Sequence, residues 1–122
     1  MHELSIVHGI IGAATEAGEK AGARKVIALT LRLGVLSSVV EDALQFCYEV
    51  ATEGTMLEKS KLVVRRLPVV IFCETCRDSR ELPGIHSFRC PVCDKPSLDL
   101  RQGRELEIES MEIEVDDDNS DR

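Results

Sequence analysis

The chain has no tryptophan, one tyrosine and three phenylalanines, so aromatics make up only 3% of its 122 residues. That scarcity argues against a stacking platform for the bases of single-stranded nucleic acid. No apolar run approaches the roughly 18 residues that span a bilayer. The opening Met1-His2-Glu3 lacks the character of a secretory signal. A soluble, cytoplasmic protein without membrane contact is expected. Concentrated positive charge is also missing. Residues 1–66 are neutral, 67–104 carry net +1 and 105–122 carry −8, so the overall −7 sits at one end. No segment offers the basic footprint of a phosphate-backbone partner, and no nucleic-acid partner is expected. What is present is 43% hydrophobic sequence, enough for the core of one domain or of a small domain with an insert.

Five cysteines without a secretory signal point away from a disulfide framework. Four form two pairs, Cys73-Glu-Thr-Cys76 and Cys90-Pro-Val-Cys93, with thirteen residues between the pairs. Two C-x-x-C knuckles at this spacing fit one tetrahedral ion held by four thiolates. Each knuckle aims two sulfurs at one spot, and the intervening loop brings the second pair over the first. Zinc is the expected ion. A closed four-sulfur shell leaves no open position, so this zinc holds a fold and does not catalyse. A thiol oxidoreductase needs its C-x-x-C on a thioredoxin-like frame, which two matched pairs on an insert do not supply. His86, between the knuckles, is a candidate fifth ligand that reads more simply as a loop histidine. Cys47 shares a helical face with Ala43, Leu44 and Ala51 and reads as a small buried hydrophobe.

Along the chain, Val7, Ile10, Ile11, Ala14, Ala17 and Ala21 recur at helical spacing and predict a helix over 4–21, with Glu3 ahead of its first turn and Gly22 as its stop. Residues 25–33 alternate as a strand with Ile27, Leu29, Leu31 and Leu33 on one face. A second helix is predicted over 39–53, opened by a capping box at Ser38-Val39-Val40-Glu41 and closed by Gly54. Residues 61–72 are extended and broken at Pro68. Residues 105–115 form a return strand whose apolar phase slips near Glu109-Ser110, where a bulge would keep Leu106, Ile108, Met111, Ile113 and Val115 on one face. The expected fold is α+β: two helices packed on a three-stranded sheet, with an inserted zinc-ribbon domain. The expected division is 1–67 plus 105–115 as the body, 68–104 as the zinc-ribbon insert, and 116–122 as an acidic, frayed tail.

The amino terminus offers a second metal site. A free α-amine on Met1, the His2 amide nitrogen and the His2 imidazole close a five- and a six-membered chelate ring. A fourth position is left for the amide or carboxylate of Glu3. Such a planar nitrogen and oxygen set favours Ni²⁺ or Cu²⁺ over Zn²⁺. His8, six residues on, reads as a polar helix residue.

The sequence resembles the HypA/HybF family of hydrogenase nickel-insertion proteins over nearly its whole length. The resemblance is carried by Met1-His2-Glu3-Leu4-Ser5, by Leu33-Gly34-Val35-Leu36-Ser37, by Leu44-Gln45-Phe46 through Glu53-Gly54-Thr55 with Glu58, and by the two knuckles. It implies that His2 binds nickel with Glu3 as a neighbour, and that Cys73, Cys76, Cys90 and Cys93 bind zinc. It implies a metallochaperone, not an enzyme, with no catalytic residues. Ni²⁺ would be the transferred cargo and Zn²⁺ the structural cofactor. The implied partners are a HypB-type GTPase and the large subunit of a [NiFe] hydrogenase; a homodimer is compatible with the reading. The competing reading is a zinc-ribbon interaction module in a nucleic-acid or transcription complex, against which the neutral body and scarce aromatics weigh.

Overall fold

The computed structural model describes residues 3–115. Met1, His2 and the acidic tail lie outside them. The elements run α1 (Glu3–Lys20), β1 (Ala23–Gly34), α2 (Glu41–Ala51), β2 (Lys61–Leu67), β3 (Val70–Cys73), β4 (Asp78–Glu81), β5 (Leu100–Gln102) and β6 (Leu106–Val115). One three-stranded sheet has the order β2-β1-β6 and the other β4-β3-β5. The fold is α+β, as the alternation of helical and strand periodicity implied.

Within the described residues the chain divides into two compact units, one of 3–31, 39–64 and 107–115, the other of 32–38 and 65–106. In the first, the helical stripe Val7, Ile10 and Ala14 meets Leu44 and Tyr48 of α2, Val26, Leu29 and Leu31 of β1, Leu62 of β2, and Leu57. Burying this set supplies most of the unit's stabilisation, at about 1.5–3 kcal/mol per fully buried large aliphatic side chain. The second unit has a much smaller core of Val69, Ile71 and Leu82, flanked by Val35, Leu36, Phe88 and Leu100. Even with Leu33, Leu67 and the cysteines Cys73 and Cys90 also buried, this is little apolar core for some fifty residues, which is the physical case for a metal staple.

Five details differ from the sequence expectations. Glu3 does not precede α1 but is its first residue, and it is buried. The capping box at α2 does not form: Ser38 takes φ 66°, Val40 is the N-cap, and no side chain of the segment caps the helix. The Val40 N–H instead donates to Glu3 Oε2 at 3.1 Å, an acceptor 37 residues away. A carboxylate at that helix start also suits its dipole. The helix ends at Ala51, before Gly54, with Thr52 as its C-cap, whose amide and hydroxyl both bond the Tyr48 carbonyl. In β1 the buried phase slips: Val26 is buried and Ile27 is exposed, after which Leu29, Leu31 and Leu33 follow the expected alternation. In β6 the expected slip brings Ile108, Met111 and Ile113 against the core, but Leu106 and Val115 stay exposed instead of joining them.

Candidate metal centres

The four knuckle cysteines converge. β3 delivers Cys73 at its last ladder pair, opposite Asp78. The chain then turns through 74–77, the Cys76 amide pointing at Cys73 Sγ at 3.5 Å. Arg77 takes φ 56°, and this left-handed residue lets the chain re-enter β4 at once. The second knuckle repeats the device: the Val92 amide points at Cys90 Sγ at 3.4 Å, and Asp94, directly after Cys93, takes φ 65°. A small hairpin closes around it through Cys90 N–H to the Lys95 carbonyl and the Arg89–Pro96 bridge. Its outgoing arm is tied back to β3 by Ser97 Oγ donating to the Phe72 carbonyl at 2.6 Å and by the Phe72 amide donating to the Asp99 carbonyl. These two bonds bring the second pair over the first.

All four sulfurs lie within 4.8 Å of one another, with Cys73–Cys93 at 3.4 Å and Cys76–Cys90 at 3.9 Å. A tetrahedron with Zn–S bonds of about 2.3 Å has edges of about 3.8 Å. The separations are far from the roughly 2.05 Å of a disulfide. Cys73 and Cys90 are buried, Cys76 and Cys93 half-buried. Burial opposes ionisation of Cys90, yet the Cys93 and Val92 amides and the neighbouring thiols hold it at about 6. Against the pull of the Lys95 amide, burial and the three other sulfurs push Cys93 up to about 12. Four thiols this close cannot all ionise on their own, and a small dication among them is what lets them do so. The residues therefore fit a four-thiolate zinc.

The other expected site residues are placed as follows. Among the described residues the four cysteines form the only such group of potential ligands. His8 and His86 are both exposed and join no cluster. Cys47 is half-buried against the first core. Glu3, described above, directs one carboxylate oxygen at the start of α2. Sequence reasoning missed Arg80. It lies on β4 opposite Ile71, its guanidinium donates to Asp78 Oδ2 at 3.3 Å, and the nearby Cys76 and Cys90 thiols raise its pKa. Its only signal in the sequence is its position four residues beyond Cys76, in strand alternation with Asp78.

A family model described as hydrogenase/urease nickel incorporation, metallochaperone, hypA matches residues 1–113. The chain belongs to the HypA family. Hydrogenase maturation factor HypA of Chloroflexus aggregans is 44% identical over 112 residues, covering 92% of this chain and 98% of that relative. The HypA of Roseiflexus sp. is 44% identical over 116 residues, covering 95% and 94%. The solution structure of the Ni metallochaperone HypA from Helicobacter pylori superposes with a TM-score of 0.68 at 23% identity, covering 95% of this chain and all of that one. At that identity the likeness speaks for the fold. HypA is a family of nickel metallochaperones for hydrogenase maturation and not of enzymes. The ribbon therefore belongs to a metallochaperone and not to a transcription module. Among the described residues no helix is long and apolar enough to cross a membrane.

Proposed function

We propose that this HypA protein binds Ni²⁺ at its amino terminus and delivers it to the large subunit of a [NiFe] hydrogenase, in the cytoplasm and in concert with a HypB-type GTPase. The Met1 α-amine, the His2 amide nitrogen and the His2 imidazole supply three donors, and Glu3 supplies the fourth through its amide nitrogen or carboxylate. The observation that carries this reading is the match to a nickel-incorporation family from residue 1 onward, which includes the Met1-His2-Glu3 opening. A terminal chelate with few donors is open to a competing acceptor, which transfer requires; ligand exchange moves the ion with no covalent chemistry. The four cysteines hold a resident zinc that fixes the 68–104 segment, and the body of 1–67 with 105–115 carries the nickel site.

The test is Ni²⁺ titration of untagged protein, read by absorption for a square-planar d–d band. His2→Ala, or one residue added ahead of Met1, is expected to abolish tight Ni²⁺ binding while zinc content and circular dichroism stay unchanged. Undiminished affinity in the extended protein refutes the terminal-amine chelate.

A further inference from the structure

We propose that the outward face of α2 docks a basic amphipathic helix of a partner protein, whose apolar stripe covers Phe46 and Val50 and whose lysines or arginines face Asp42, Glu49 and Glu53. The inference uses neither the nickel donors nor the cysteines and stands apart from the proposed function.

α2 turns Leu44 and Tyr48 into the core, with Cys47 and Ala51 half-buried against it. On the other side Asp42, Phe46, Glu49 and Val50 fall within about 100° of helical arc, and all four are exposed. Glu53, just past the end of the helix, is exposed as well and extends the line. Phe46 is 66% exposed and Val50 51%, whereas Phe72 and Phe88 are half-buried. Beside Phe46 and Val50 lies a cavity of about 770 Å³ between α2 and the start of β2, reaching Leu62. Its neutral polar groups are already used. Tyr48 bonds Ser60, Thr52 bonds the Tyr48 carbonyl, and Gln45 donates to the Leu62 carbonyl. Such a cleft offers contact surface, not the convergent polar groups that orient a small ligand. Ridge and cleft extend over residues 42–53, about 16 Å of helix, which suits a second helix laid alongside.

Charge selects the occupant. Residues 41–58 hold five carboxylates and no lysine, arginine or histidine. A second copy offering the same face would set carboxylate against carboxylate, and residues 116–122, with four aspartates and one arginine, would be repelled likewise. Nucleic acid and anionic lipid carry the wrong sign too. An apolar centre rimmed by carboxylates is complemented by an apolar stripe rimmed by cations. Lys59 and Lys61 line the cavity at the start of β2, which confines the partner's cations to the α2 side and sets its orientation.

The experiment titrates full-length protein with two synthetic amphipathic helices, one of leucine and lysine and its twin of leucine and glutamate, reading amide shifts and affinity. The lysine peptide is expected to bind with its largest shifts within residues 42–62 and to weaken as salt rises. The glutamate twin is expected to bind about tenfold more weakly or less. Phe46→Ala removes the apolar anchor and is expected to weaken the lysine peptide about tenfold. The triple variant Asp42→Asn, Glu49→Gln, Glu53→Gln is expected to lose most of the salt dependence. All four positions are exposed, so the fold survives each change. No binding, equal binding of both peptides, shifts that map elsewhere, or wild-type affinity in Phe46→Ala overturns the inference. Sedimentation of the protein alone closes the remaining route: a dimer that Phe46→Ala dissociates gives the face to a second copy and overturns the inference as well.

Discussion

Gly34→Ala gives the sharpest test of the packing described here. An added Cβ lies 2.1 Å from the Gly103 carbonyl oxygen, 2.2 Å from its carbon and 2.6 Å from the Arg104 nitrogen. All three are backbone atoms, so no rotamer change relieves the overlap, and ordinary contact at 3.4 Å demands a displacement of about 1.3 Å. The segment that must move is bonded to the same strand end: Gly34 N–H donates to the Glu105 carbonyl and Leu36 N–H to the Gly103 carbonyl, each at 2.8 Å. Two such bonds at about 1 kcal/mol each and overpacking at about 1–3 kcal/mol give an expected loss of about 3–5 kcal/mol. Gly12→Ala is the internal control. Nothing lies within 4 Å of its added Cβ, and its place in the interior of α1 predicts a gain of about 0.5–1 kcal/mol. Urea unfolding of the zinc-saturated proteins compares them directly. A Gly34→Ala midpoint within the equivalent of about 1 kcal/mol of wild type, at unchanged slope, refutes the close approach.

Cys76→Ala is expected to lower zinc content and to collapse amide dispersion for residues 65–106 while the helical circular dichroism persists; intact dispersion without zinc counts against the staple. Tyr48 donates to Ser60 Oγ at 2.6 Å, and Ser60 in turn donates to the Leu57 carbonyl. Tyr48→Phe should therefore cost about 1 kcal/mol, measured by denaturation at pH 7. Burial raises the Tyr48 pKa above its ordinary 10.0, the Ser60 hydrogen bond pulling the other way. The folded state thus keeps a proton that the unfolded chain gives up, and stability falls as pH climbs past 10 in wild type but less in Tyr48→Phe. Glu3→Ala should speed hydrogen exchange at the Val40 amide, while Glu3→Gln, which keeps an acceptor oxygen, should nearly preserve it. Equal exchange in all three proteins removes the helix-capping role of Glu3.

Much of this fold is legible in the sequence because its signals are local. Val7, Ile10 and Ala14 betray α1 by spacing alone, and two C-x-x-C pairs carry their geometry in their own turns. What stayed hidden depends on partners distant in sequence. Ser38 looks like a cap, but the residue that satisfies Val40 is Glu3 on another helix. Ile27 obeys the alternation of its strand, but the shift of buried phase from Val26 to Leu29 exposes it. Arg80 looks like one more surface charge until the β3–β4 register sets it opposite Ile71, on the face that buries Ile71 and Cys73. His2, on which the nickel proposal turns, is inferred from coordination chemistry and family resemblance alone, since the described residues begin at Glu3.

The buried Tyr48 has an optical consequence. With no tryptophan and a single tyrosine in the chain, all ultraviolet fluorescence excited near 280 nm originates at one ring. That ring sits in the core of the unit built on α1 and α2, and its hydroxyl is bonded to Ser60. Tyrosine emission therefore reports loosening of that unit. The low background absorbance also leaves the spectral window of a bound transition metal nearly clear. With Co²⁺ in place of the colourless zinc, melting of the helical unit and loss of the ribbon's metal can be followed in one cuvette as two separate signals.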